Sequence, residues 1–292
     1  MLGVHLPQSG TWSWLVAWPV DPVALAFIVV TGLAYRAGLR RVRARGADFP
    51  RSNTVSFWGG LVVLAIALLS PLDTYADVSF TVHMTQHLLL TFLAPPLLAL
   101  GAPITLALRA LPQSSARRLA GLLRGRVATL LSNPVVGWIL FVSVPYAIHF
   151  SPLFDAALRN TAIHAFEHGI WVIAALIYWW PIVGRDPSPH PMTYPARLLS
   201  QFLAMPAMSF LALPVYTATH VLYPSYAALP PPWGPRAIVE QGWAATEMWL
   251  TSNLALIGAM LIVAVAWKHD EESRQRRLDR MVTPERLEAP RP

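Results

Sequence analysis

Seven long apolar runs begin near Pro22, Asn53, Ser79, Pro134, Asn160, Ala196 and Gln241. Each is long enough for the about 20 residues that a helix needs to cross a hydrocarbon layer. The polar stretches between them differ in kind. Segment 104–131, ITLALRALPQSSARRLAGLLRGRVATLL, alternates apolar and Arg positions, which suits an amphipathic helix on a membrane surface or a solvated loop that enforces topology. Segment 223–235, YPSYAALPPPWGP, is too rich in Pro for a helix and predicts an ordered loop. Ala94-Pro95-Pro96 predicts a kink or break in the third run, tolerable in a membrane where neighbours satisfy the freed carbonyls. From residue 268 acids and bases alternate before a Pro-rich end, which predicts a short helix followed by disorder. The expected fold is therefore all-α: a polytopic membrane protein with seven transmembrane helices over 1–268 and a cytoplasmic tail over 269–292.

Composition agrees. Of 292 residues, 55% are hydrophobic and only 13% charged, and the mean hydropathy is +0.46, a balance that belongs in lipid. The basic residues give an orientation, because cytoplasmic loops retain Lys and Arg. Segment 36–51 holds six Arg, 109–126 five, 185–197 two and the tail seven basic residues, against only Arg159 and Arg236 on the other side. The N-terminus is expected outside and the C-terminus in the cytoplasm. Trp12, Trp14 and Trp18, and Trp179 and Trp180, suit interfacial belts. The net charge of +7 is then a topology signal and gives no reason to expect nucleic acid. The first run lacks a basic leader and a small-residue cleavage site, and is expected to be retained as a span. Cysteine is absent, so disulfides and thiolate ligands are excluded, and any soft-metal site must use His or Met.

An internal repeat is also present. Ser52-Asn53-x-Val55-x-x-Trp58 matches Ser132-Asn133-x-Val135-x-x-Trp138 at an offset of 80. Ser70-Pro71-Leu72 matches Ser151-Pro152-Leu153, and His83, Gln86 and His87 match His164, Glu167 and His168, all at an offset of 81. Units of about 52–101 and 132–183 read as two copies of one helical hairpin, a parallel repeat about an axis along the membrane normal.

The repeat carries the candidate chemistry. Residues i and i+4 share a helix face, with i+3 beside them. His83, Gln86 and His87 thus form one polar patch and His164, Glu167 and His168 another, each roughly 6 to 12 Å below the outer end of its helix. Glu167 and Glu247 are the acidic residues expected inside spans. His149, His220, Asp73 and Asp77 are placed near the mouth, and Met84 and Met248 at similar depth as potential soft ligands for Cu(I). Met205 and Met208 read as packing, and His5, His190 and His269 fall in tails or loops. Ionisable groups within a membrane are costly and usually mark a site. Imidazoles from two helices with a carboxylate or amide beside them point to a transition metal. Zinc, copper and iron stay open. So do haem held between two histidines and a metal-free bundle in which the histidines only knit helices together.

The stretches SPLDTYADVSFTVHMTQHLLLTFLAPPLLALGAP and HAFEHGIWVIAALIYWWPIVG resemble the CtaG family of bacterial cytochrome c oxidase assembly proteins, over about residues 20 to 268. The resemblance implies a seven-span inner-membrane protein needed to make active haem-copper oxidase. The implied role is copper delivery to the catalytic subunit; the expected position of the histidines in the outer half of the membrane adds a periplasmic copper donor as a further partner. It carries His83, His87, His164 and His168, with Glu167 beside them, into the site, and implies an assembly factor more than an enzyme. An unrelated single-span copper chaperone of the same name bears Cys, and a chain without Cys is not that protein. The enzyme alternative is an intramembrane zinc hydrolase in which three ligands hold a water-activating ion and Ser79, Glu167 or Glu247 assists.

Overall fold

The computed structural model describes Trp18, residues 21–228 and residues 234–287. Among them are fourteen α-helices and no strand. In order these are α1 (Pro22–Ala44), α2 (Arg51–Leu69), α3 (Pro71–Ala76), α4 (Phe80–Leu88), α5 (Ala94–Leu100), α6 (Pro103–Ala110), α7 (Gln113–Leu123) and α8 (Arg126–Leu131). There follow α9 (Pro134–His149), α10 (Leu153–Ala157), α11 (Thr161–Val183), α12 (Tyr194–Thr217), α13 (Pro224–Ala228) and α14 (Ala237–Leu287), and a π-helical turn, Leu89–Leu93, joins α4 to α5.

Polar caps set the helix starts. The Asp21 side chain accepts from the backbone N–H of Val23 and Ala24, that of Ser79 from Val82, that of Asn133 from Val135 and that of Asn160 from Ala162 and Ile163. Each satisfies amides that a helix leaves unpaired at its first turn. Ser79 and Asn160 are the repeat's counterparts and head the two His-bearing helices. Each proposed repeat unit has the same order of elements, with the short helices α3 and α10 between two long ones.

Six helical stretches are long and apolar enough to cross a membrane: Pro22–Ala44, Arg51–Leu69, Phe80–Ala110, Thr161–Val183, Tyr194–Thr217 and Ala237–Asp279. The fourth of the seven expected spans corresponds to α9, a shorter apolar helix of 16 residues.

Several expectations need correction. The interruption expected at Ala94-Pro95-Pro96 takes the form of the π turn just ahead of them. Segment 104–131 is divided among α6, α7 and α8, because Pro112 and the turn before Gly125 interrupt it. The Pro-rich loop contains α13, a helix opened by Pro224. The tail does not begin a separate helix, since α14 runs unbroken to Leu287. Trp179 is buried among the helices, where its indole N–H bonds the Thr91 carbonyl. Trp12 and Trp14 lie outside the described residues.

Two apolar clusters hold the helices together. One joins α4, α9, α10, α11, α12, α13 and α14 through Phe141, Phe154, Tyr178 and Leu211 among others, and the second joins α1, α2, α5 and α6 through Tyr35, Phe57, Leu64 and Leu106. A Cβ on Gly60 would stand 2.8 Å from Leu98, so glycine lets α2 and α5 approach closely, the usual way of packing where water supplies no driving force. In the packed bundle α4 lies against α3 and α14, and α11 against α9 and α5.

Candidate metal centre

The two duplicated His pairs meet. His83 and His87 face each other along α4 with their Nε2 atoms 3.0 Å apart, and the rings of His164 and His168 lie 4.2 Å apart on α11. Across the gap each ring faces its repeat counterpart: His83 stacks on His164 at 5.3 Å and 27°, and His87 meets His168 edge-on at 5.7 Å. Glu167 enters the same space, with its Oε1 3.7 Å from His87 Nε2. The ligand atoms of His83, His87 and Glu167 all fall within 4.8 Å of one another, and all three residues are buried.

A surrounding frame fixes these groups. The Tyr226 hydroxyl lies 3.0 Å from His83 Nδ1 and donates to the Ala76 carbonyl at 2.8 Å. Burial pushes the Tyr226 phenol up, with Asp77, Glu167 and Glu240 adding to the shift, so it keeps its proton. His83 Nδ1 also lies 3.4 Å from the Ala76 carbonyl; a carbonyl only accepts, so a proton on Nδ1 serves both neighbours, and in that tautomer the Nε2 lone pair faces the cluster. Gln86 donates to the Ala67 carbonyl at 2.8 Å and to Asp73 Oδ1 at 2.6 Å, tying α4 to α2 and α3. On the far side of α4, Thr85 donates to Glu247 at 2.6 Å and Ser79 to Glu240. Trp171 packs 4.4 Å from the His87 ring, and Phe154 lies 5.0 Å from that of His83.

The donor atoms suit a cation. Five buried atoms, His87 Nδ1, His164 Nε2, His168 Nε2 and both oxygens of Glu167, have no protein hydrogen-bond partner. Leaving such an atom unpaired costs about 1–3 kcal/mol, and more for a charged one. Two nitrogens bound at about 2.0–2.1 Å to one ion stand roughly 3 Å apart, close to the separation of the two Nε2 atoms. Imidazole with carboxylate suits copper, zinc or iron. At the rim, burial pushes the Asp73 carboxyl up to about 7 against the pull of the Gln86 amide, with Asp77 and Asp21 adding like charge. Burial raises Asp77 to about 6.

Residues 33–270 match the family described as cytochrome c oxidase caa3 assembly factor (Caa3_CtaG). The chain belongs to that family. Uncharacterized proteins of Mycobacterium bovis, Mycobacterium tuberculosis and Mycobacterium leprae are each 32% identical to it over 288 residues, covering 96% of this chain and 44% of each relative. The chain thus spans less than half the length of these curated relatives. No solved structure matches it.

The six residues of the two patches divide by role. The four histidines and Glu167 converge, whereas Gln86 turns outward to brace α4 against α2 and α3. His149 is buried nearby with its Nδ1 bonded to the Pro145 carbonyl of its own helix at 2.9 Å. Asp77 stands at the rim, 4.0 Å from His164. Glu247 is taken up by Thr85, and Met84 and Met248 pack in the larger apolar cluster. His220 is exposed, and His5 lies outside the described residues. Tyr226, Phe154, Glu240 and Trp171 were not anticipated as parts of the site. Trp171 alone had a readable signal, standing four residues after Glu167 on the same face of α11.

Proposed function

We propose that this chain serves oxidase assembly by holding copper as cargo between α4 and α11 and passing it to the catalytic subunit of cytochrome c oxidase. His83 and His87 with Glu167 would take the ion, and His164 and His168 stand ready as exchange ligands. One observation carries the reading: imidazoles from duplicated segments converge with a buried carboxylate, and Nε2 of His164, Nε2 of His168 and both oxygens of Glu167 lack protein hydrogen-bond partners. Transfer by ligand exchange needs such a surplus of donors around one position, so that one bond forms before another breaks.

The reading extends to placement. The end of the bundle that bears α3, α10 and α13 carries little basic charge, and the Arg-rich segments lie at the other end. We take the first as the outer, periplasmic end of a bacterial inner-membrane protein, open to a periplasmic copper donor, with α9 as a short seventh span and the two hairpins as a parallel repeat. A second reading is favoured by the ligand set itself, since two His and one Glu also hold catalytic zinc in hydrolases.

Elemental analysis of the purified protein tests both. Copper is expected in the wild type and is lost in His87→Ala and diminished in His168→Ala. Equal metal in all three would remove the site, and zinc in place of copper would favour the hydrolase.

A further inference from the structure

We propose that Asp77 and His164 form an outer acceptor for the transition-metal cation, so that it enters the centre sideways, between the end of α3 and the first turn of α11. The inference rests on the metal-site reading above.

The direct way in from the outer end is closed. Phe154 lies 4.3 Å from the Tyr223 ring and 5.0 Å from that of His83, and Phe80 lies 4.9 Å from Tyr223 and 5.4 Å from Tyr226. These rings pack into a roof whose two hydroxyls burial keeps as neutral phenols, with that of Tyr226 already bonded to Ala76 and His83.

The side is different. The Asp77 side chain is 43% exposed and that of His164 13%, while His168 is 6% and His83 0% exposed. Donors therefore run without interruption from solvent to the buried centre. His164 is the middle member: its Nδ1 stands 4.0 Å from Asp77, and its ring lies 4.2 Å from His168 and 5.3 Å from His83. Inside the rim, the buried His168 Nε2 has no protein partner. Charge favours the same route. The α1 cap Asp21 adds negative potential at His164, and Arg159 on that end is already paired with Asp155. An acidic mouth raises the local concentration of cations and their rate of arrival.

An entry site speeds binding and release together and leaves affinity nearly unchanged, which separates it from a resident ligand. The test is stopped-flow absorption of the full-length protein in detergent mixed with Co2+, whose visible bands report nitrogen and carboxylate ligation. Wild type, Asp77→Asn and Asp77→Glu are compared. Asp77→Asn should load and release Co2+ about tenfold more slowly and reach the same final spectrum, and Asp77→Glu should restore most of the rate. Loading of Asp77→Asn at the wild-type rate would overturn the route while leaving the centre standing. A lowered amplitude or altered final spectrum in Asp77→Asn would make Asp77 a resident ligand and overturn it as well. Absence of Co2+ bands in the wild type would instead remove the metal-site reading and this inference with it.

Discussion

Tyr226 and Ala76 are 150 residues apart in the chain, yet the Tyr226 hydroxyl links the Ala76 carbonyl to the His83 ring. That hydroxyl, with the Ala76 carbonyl 3.4 Å from His83 Nδ1, orients the His83 ring so that its Nε2 faces His87. Partners that orient a ligand in this way are usually worth 10–100-fold in metal affinity. Tyr226→Phe keeps the ring that packs under Phe80 and removes only the bridge. It is expected to weaken binding by about 10–100-fold and to lower stability by about 1 kcal/mol, read by competition titration against a chelator and by thermal unfolding. Wild-type affinity in the Phe variant would mean that His83 chooses its tautomer without help. No pattern in the sequence announced Tyr226, because α13 reaches the histidines only through the tertiary fold. The histidines were legible because two polar side chains spaced four apart in an apolar run must share a face, and the motif occurs twice. Spacing did not separate Gln86 from Glu167, which hold matching positions in the repeat. The amide bonds Asp73, whereas the carboxylate lies beside His87.

Helices in this chain are shaped by how their irregularities are repaired. Pro95 and Pro96 lack N–H groups, so the carbonyls of Thr91 and Phe92 lose their usual partners four residues on. The chain widens into a π turn, a form common beside functional sites, and Trp179 on α11 donates its indole N–H to the Thr91 carbonyl at 2.9 Å. A neighbouring helix thereby satisfies what proline removed, as hydrocarbon surroundings require. Trp179→Phe would leave that carbonyl buried and unpaired, and should lower unfolding free energy by about 1–3 kcal/mol. A thermal midpoint equal to wild type in detergent would show that the bond does not matter. The proline pair was plain in the sequence, but its repair depended on a contact 88 residues away. The tail was misread for a different reason. No Gly or Pro stands between Gly258 and Pro284 to stop a helix, and the alternating charges form pairs such as Lys268–Glu272 and Arg276–Glu272. Tyr194 also bonds Asp270, holding α14 to the start of α12, so one helix continues where a boundary was expected.

At the scale of the molecule, the meeting of the two His pairs constrains how the chain crosses the membrane. Both pairs lie in the first turns of their helices, after Ser79 and after Asn160, so α4 and α11 must start from the same end. The chain leaves α4 through α5 and α6 toward the Arg-rich end and must come back before α11 can begin. Only α9 is available for the return. Its 16 residues rise about 24 Å, short of the roughly 30 Å of a typical hydrocarbon core, a deficit that local thinning and flanking polar residues can absorb at modest cost. If α9 is a seventh crossing, the odd number puts the start of α1 and the end of α14 on opposite faces. This can be checked with reporters active on only one side of the membrane. Fused after Ser132 or in the tail after Asp279, a reporter should behave as cytoplasmic, and fused after Ser151 as periplasmic. If the fusions at 132 and 151 report the same side, α9 does not cross and the shared starting end of α4 and α11 is lost. The proposed common metal centre would be lost with it, since the two histidine pairs would then lie at opposite depths.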